Sequence, residues 1–144
     1  PLTFSIRKNL SESYKKLKTA GIFLYWGEGA QLRGKNCGVD FANSNPEMIK
    51  VFLNFLRKIC GIDEKRLRVF MYCYADQSIE SLLRYWHNVT SIPLSQFTKP
   101  YVRKDFQKDI RKMEHGLVHI RYADKKLLIQ IDNWIKKYTK NFTD

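Results

Sequence analysis

The chain has little of what recognisable catalytic sites are usually built from. Its 144 residues include three cysteines, Cys37, Cys60 and Cys73, widely spaced and without a C-x-x-C pair. A disulfide framework and a thiolate zinc site are therefore not expected; buried free thiols in a reducing compartment are. His87, His115 and His119 show no HExxH or other paired spacing, and no Gly-rich phosphate loop or G-x-S-x-G elbow is present. No apolar run approaches the ~20 residues needed to span a bilayer. No signal-type leader is visible either, although the chain opens on Pro1 rather than methionine, which leaves room for an upstream segment. The expectation is an intracellular protein, cytoplasmic, nucleoid-associated or organellar, not secreted and with no membrane partner. In such a protein the glycosylation sequons at Asn88 and Asn141 are chance matches.

Acidic residues are scarce as well. Asp and Glu number 14 against 26 Lys and Arg, giving a net charge of +12 and a pI near 9.7. That imbalance points to a polyanion, most often nucleic acid and less often an acidic membrane surface. The hydrophobic share of 44% is ordinary, so one globular domain spanning 1–144 is expected, with no repeat and no low-complexity linker.

Residues 1–10 read as an arm, with Arg7 and Lys8 free to touch phosphate. Ser11 is a fit N-cap for a helix over 11–26. Residues 30–44 read as a hairpin: a strand over 30–33, a turn through Gly34-Lys35-Asn36, and a strand over 37–42. The Asn43-Ser44-Asn45-Pro46 stretch starts a second helix with proline in its first turn. Met48, Ile49, Phe52, Phe55, Leu56 and Ile59 form the apolar face of that helix, and Gly61 closes it. A third strand over 66–74 is the clearest in the sequence. A helix over 78–89 follows, with Ile79, Leu82, Leu83 and Trp86 turned inward. Then come a strand over 98–103, a basic loop over 104–112 and a strand over 116–122. The amphipathic helix over 124–138 repeats Leu127, Leu128, Ile131, Trp134 and Ile135 at helical spacing.

Alternation divides the third strand between two faces. Leu67, Val69, Met71 and Cys73 suit a core, while Arg66, Arg68, Phe70, Tyr72 and Tyr74 point the other way. Arginine can read guanine edges in the major groove and tyrosine can bond phosphate, so that second face is a candidate DNA surface. Gln31, Arg33 and Lys35 on the hairpin extend it, as do Lys99, Tyr101 and Arg103 on the fourth strand. Lys104 and Lys108 add charge in the basic loop, and His119 and Arg121 lie opposite the inward Val118 and Ile120.

The stretch over 21–29, GIFLYWGEG, delivers Glu28 at the foot of the first helix with glycine on both sides. Glycine has no Cβ, so two such helices can approach closely and bring two Glu28 carboxylates together. Paired acids in a basic chain suggest a divalent cation and a phosphate substrate. This stretch resembles the LAGLIDADG motif of homing endonucleases. Gly27, Glu28 and Gly29 fit its last three positions, where the family accepts Asp or Glu as metal ligand. The first three letters are replaced by Gly21, Ile22 and Phe23, and the sixth, usually acidic, is Trp26.

The order of elements also resembles that fold, apart from the helix over 78–89. The resemblance implies an α+β architecture, with a curved antiparallel β-sheet on the DNA side and helices packed behind. It looks closest to single-motif relatives that carry YWGEG followed by an Asn-Ser-x-Pro turn. It further implies a homodimer joined through Ala20, Phe23, Leu24 and Gly27, and a near-palindromic double-stranded DNA target. Mg²⁺ or another divalent cation would be bound by Glu28 for phosphodiester hydrolysis. Two helpers follow by position. Asn45 stands where relatives commonly carry Gln, and Arg121 where many carry a Lys near the scissile phosphate. Two rival expectations remain: a non-catalytic DNA-binding regulator of the same fold, and an RNA-splicing helper that binds structured RNA.

Overall fold

The computed structural model describes residues 1–104 and 113–144; Lys108 and most of the basic loop lie outside the described residues. The first helix, α1 (Glu12–Glu28), starts where Ser11 Oγ accepts from the amide of Tyr14. It runs through Gly27 and Glu28, past the expected end at Trp26. Its last turn closes with Gly29 N–H donating to Tyr25 O at 2.7 Å, and the chain leaves in an extended conformation.

No strand forms over 30–33. Gly29 makes one bridge to Phe41 and Ala30 N–H donates to Asp40 O. The Gln31 side chain then turns back onto the carbonyls of Trp26 and Gly29, and the Asn36 amide donates to Gln31 O. These side-chain bonds engage backbone groups near the expected ladder. The turn at Gly34 is present, with φ +46°.

The strand β1 (Val39–Asn43) follows, shorter than expected at its start, so Cys37 is exposed while Cys60 and Cys73 are buried. Helix α2 (Pro46–Asn54) opens at Pro46, as expected, and continues into a π turn over Phe55–Ile59. That wider turn lets Phe55, Leu56, Ile59 and Cys60 all face the core. Strand β2 (Leu67–Tyr74) buries Leu67, Val69, Met71 and Cys73, as the alternation predicts. Helix α3 (Ile79–Thr90) buries Leu82 and Trp86 but leaves Ile79, in its first turn, exposed.

Strand β3 is only Tyr101–Arg103, and it runs parallel to β2. The sheet is therefore mixed rather than wholly antiparallel, in the order β1-β4-β2-β3. The physical reason is α3: parallel neighbours need a crossover connection, and the helix supplies it. Strand β4 (Leu117–Tyr122) pairs antiparallel with both β1 and β2. Helix α4 (Lys125–Lys140), capped by Asp124, buries Leu127, Leu128, Ile131 and Ile135, with Trp134 half-buried. Ile22, Tyr25, Phe52, Leu56 and Leu127 from the helices meet Phe41, Val69, Val118 and Ile120 from the strands in one core.

The N-terminal arm is docked on the helical side. Ser5 and Arg7 amides donate to Gly61 O and Ile59 O, and Tyr122 Oη–H donates to Thr3 O. Arg7 is exposed, with its Nε donating to Lys58 O and its guanidinium 5.0 Å from the Tyr14 ring centroid. Lys8 is exposed. Among the described residues, no helix is long and apolar enough to cross a membrane.

Candidate nucleic-acid interface

Pairing across β4 assembles the sheet face opposite the helices. Arg121 lies across from Asp40 on one side and Arg68 on the other; His119 lies between Ala42 and Phe70. Tyr72 is level with Leu117 and with Tyr101 on β3. The Tyr72 and Tyr101 rings stack, with centroids 5.2 Å apart and planes 17° apart, and Tyr101 remains 54% exposed. Phe70 meets the His119 ring edge-on at 5.5 Å.

At the β1 side of this face sits a carboxylate. Asp40 Oδ1 accepts from His119 Nδ1 at 2.7 Å, and Oδ2 accepts from Arg121 Nε at 3.2 Å. The Arg121 guanidinium also covers the Phe70 ring at 4.8 Å, a cation–π contact. Burial opposes ionisation of Asp40, but the hydrogen bonds and charges of His119 and Arg121 outweigh it and hold the carboxyl below its ordinary range.

Several expected contact residues are placed differently. Arg66 precedes the strand, in a 3₁₀ turn over Glu64–Arg66, where its Nη2 donates to Ala123 O. Tyr74 keeps only 8% of its surface exposed. It is no open contact. Lys99 falls outside β3 and is exposed, so it does not share a strand face with Tyr101 and Arg103. Arg103 is half-buried and engaged within the fold. Arg68 is exposed, with Nη1 donating to Lys65 O and Leu67 O. The Gln31 amide is committed to the end of α1, whereas Arg33, Lys35 and Lys104 are exposed.

Glu28 is the last residue of α1 and is exposed. The negative end of the helix dipole opposes a carboxylate there, and no basic residue stands in the last turn. It makes no ion pair or hydrogen bond among the described residues. The flanking glycines differ in use. A Cβ on Gly29 would fall 2.4 Å from the Tyr25 ring, while one on Gly27 would meet nothing within 4 Å. Tyr25 locks the chain below Glu28: its Oη–H donates to Ala30 O at 2.6 Å and accepts from Asp40 N at 3.2 Å.

Asn45 caps α2, with Oδ1 accepting from the amides of Glu47 and Met48 at 2.9 and 3.3 Å. Among the expected dimer residues, Ala20 and Gly27 are exposed. Leu24 packs partly on the core, and the half-buried Phe23 touches the rings of Trp26, Tyr138 and Phe142 of its own chain. Trp26 and Phe142 stay 49% and 74% exposed beside it. Among the described residues no three His, Cys, Asp or Glu side chains gather as a ligand set.

Sequence reasoning placed Phe70 on this face but missed the Asp40 cluster. The signal was there in part: alternation along β1 sends Asp40 and Ala42 away from buried Val39 and Phe41. No protein-family model, no curated protein and no solved structure matches the chain.

Proposed function

We propose that the protein is a homodimeric, sequence-specific endonuclease acting on double-stranded DNA. In this reading the face built on Arg68, Phe70, Tyr72, Tyr101, His119 and Arg121 lies against the groove, and exposed Arg33, Lys35 and Lys104 hold phosphates. Two-fold symmetry of the protein implies a near-palindromic site.

The observation that carries the catalytic part is the isolation of Glu28. A carboxylate at the unfavourable end of a helix dipole, without an ion pair among the described residues, suits a divalent cation held between chains. Gly27, open on its Cβ side, gives a second helix room to approach. A Mg²⁺ bound by paired Glu28 carboxylates and phosphate oxygens would supply an activated water and charge for the leaving 3′ oxygen. The protein's own share is to fix the backbone: Tyr25 holds the turn after Glu28, and the sheet face holds the duplex.

A second reading, binding without cutting, is favoured by the two expected helpers. Asn45 Oδ1 is spent on capping α2, and Arg121 is tied to Asp40. The test begins by selecting bound duplexes from a random pool and incubating them with Mg²⁺. Nicking at a fixed position supports the nuclease; tight binding with no nicking across several divalent metals leaves a DNA-binding protein. Preferential capture of structured RNA over duplex DNA would move the reading to RNA.

A further inference from the structure

We infer that Arg121 reads a guanine and that Asp40 is the residue that positions it. An arginine that recognises guanine presents two parallel N–H groups to O6 and N7, and the contact is selective when the fork is held still. Three contacts hold this one. Its Nε donates to Asp40 Oδ2 at 3.2 Å. Its guanidinium lies over the Phe70 ring at 4.8 Å, which limits how the plane can turn. Asp40 is itself fixed from the other side by His119 Nδ1 at 2.7 Å. Nη1 and Nη2 have no protein partner among the described residues, and 43% of the side chain is exposed on the sheet face.

A negative group on a DNA-facing surface weakens contact with phosphates, so its presence asks for a return. Holding Arg121 gives one. With its two oxygens committed to His119 and Arg121, Asp40 lowers affinity for any sequence while sharpening choice among sequences. This role differs from a phosphate contact or a charge near the scissile bond, for which lysine would serve equally well. It rests on the duplex-binding part of the proposed function and not on the catalytic part.

The experiment selects duplexes from a randomised pool, in EDTA so that binding alone is read, using wild type, Asp40→Asn and Arg121→Lys. The expected result is one guanine position per half-site whose preference falls about 5- to 150-fold in both variants, the loss being confined to that position. Asp40→Asn should also bind random duplex at least as tightly as wild type. If Asp40→Asn does not fold, Arg121→Lys alone decides. Preferences unchanged at every position overturn the inference, as does an equal loss of affinity for all sequences. A wild type that binds duplex without preference overturns it and leaves duplex binding standing. A wild type that binds no duplex overturns both.

Discussion

A Cβ built on Gly21 would lie 2.1 Å from Cγ of Phe55. The tight approach made by α1 within its own chain is therefore at Gly21, against the π turn after α2. Phe55 is buried and packs against Phe52 and Trp134, so its ring has little room to retreat. Gly21→Ala is expected to destabilise the fold by about 1–3 kcal/mol through overpacking. Urea unfolding of the two proteins checks this, and an unchanged midpoint would show that the ring swings aside freely.

Gly27 should behave in the opposite way. Nothing lies within 4 Å of a Cβ there, so Gly27→Leu leaves the isolated chain folded. If two copies meet at the end of α1, the added side chain separates them. Sedimentation should then shift from dimer to monomer at matched concentration, with circular dichroism unaltered. A dimer that survives the change removes Gly27 from the interface.

How far the sequence reveals such differences depends on whether a feature is local. The buried face of β2 and that of α4 are legible because each repeats over its own residues, with period two in one and helical spacing in the other. The parallel placing of β3 is not, since Tyr101 finds its partner Tyr72 only after α3 has carried the chain back. The missing strand after Gly29 fails for a different reason. Gln31 and Asn36 have side chains that bond backbone groups, and pattern alone does not show when they will. Glu28 could be singled out from its neighbours, but Asp40 could not. The value of Asp40 comes from the register that sets it across from Arg121, 81 residues away.

Tyr25 ties the end of α1 to β1 through a single hydroxyl. Tyr25→Phe leaves Ala30 O without its bond from Oη and Asp40 N without its acceptor, and should cost about 1–3 kcal/mol near neutral pH. Burial, with a smaller contribution from the charge of Asp40, pushes the phenol up to about 12. A raised folded pKa gives stability that is fully present below the unfolded value of about 10 and is lost as pH rises through the folded value. The gap between wild type and Tyr25→Phe should therefore narrow from about pH 10 to about 12. A gap constant across that window would contradict the burial of the hydroxyl.

Asp40 gives the reverse pH dependence. Its folded pKa is depressed by His119 and Arg121 against the effect of burial, so its contribution is present above the ordinary carboxylate pKa of about 4 and fades as pH falls through the lower folded value. Wild type should lose stability below about pH 4 more steeply than Asp40→Asn. Thermal melts across that acid range provide the check, and parallel curves would mean that the Asp40 cluster contributes nothing to the fold.

Glu28→Gln separates cutting from binding. Glutamine keeps the shape of the side chain and removes the anionic ligand, so hydrolysis of a selected duplex in Mg²⁺ should be lost while the fold is unchanged, because Glu28 is exposed and unpaired among the described residues. Affinity measured in Ca²⁺ should hold or rise, since two like charges facing the phosphates would be gone. The substitution also removes a negative charge from the unfavourable end of the helix dipole, which should raise stability by a few tenths of a kcal/mol in low salt. A variant that nicks as fast as wild type would remove Glu28 from the chemistry. Asp40 would be the next carboxylate to test, although both its oxygens are already held by His119 and Arg121. If wild type itself nicks nothing in any divalent metal, the isolation of Glu28 needs another cation, and a basic side chain of a partner protein becomes the first candidate.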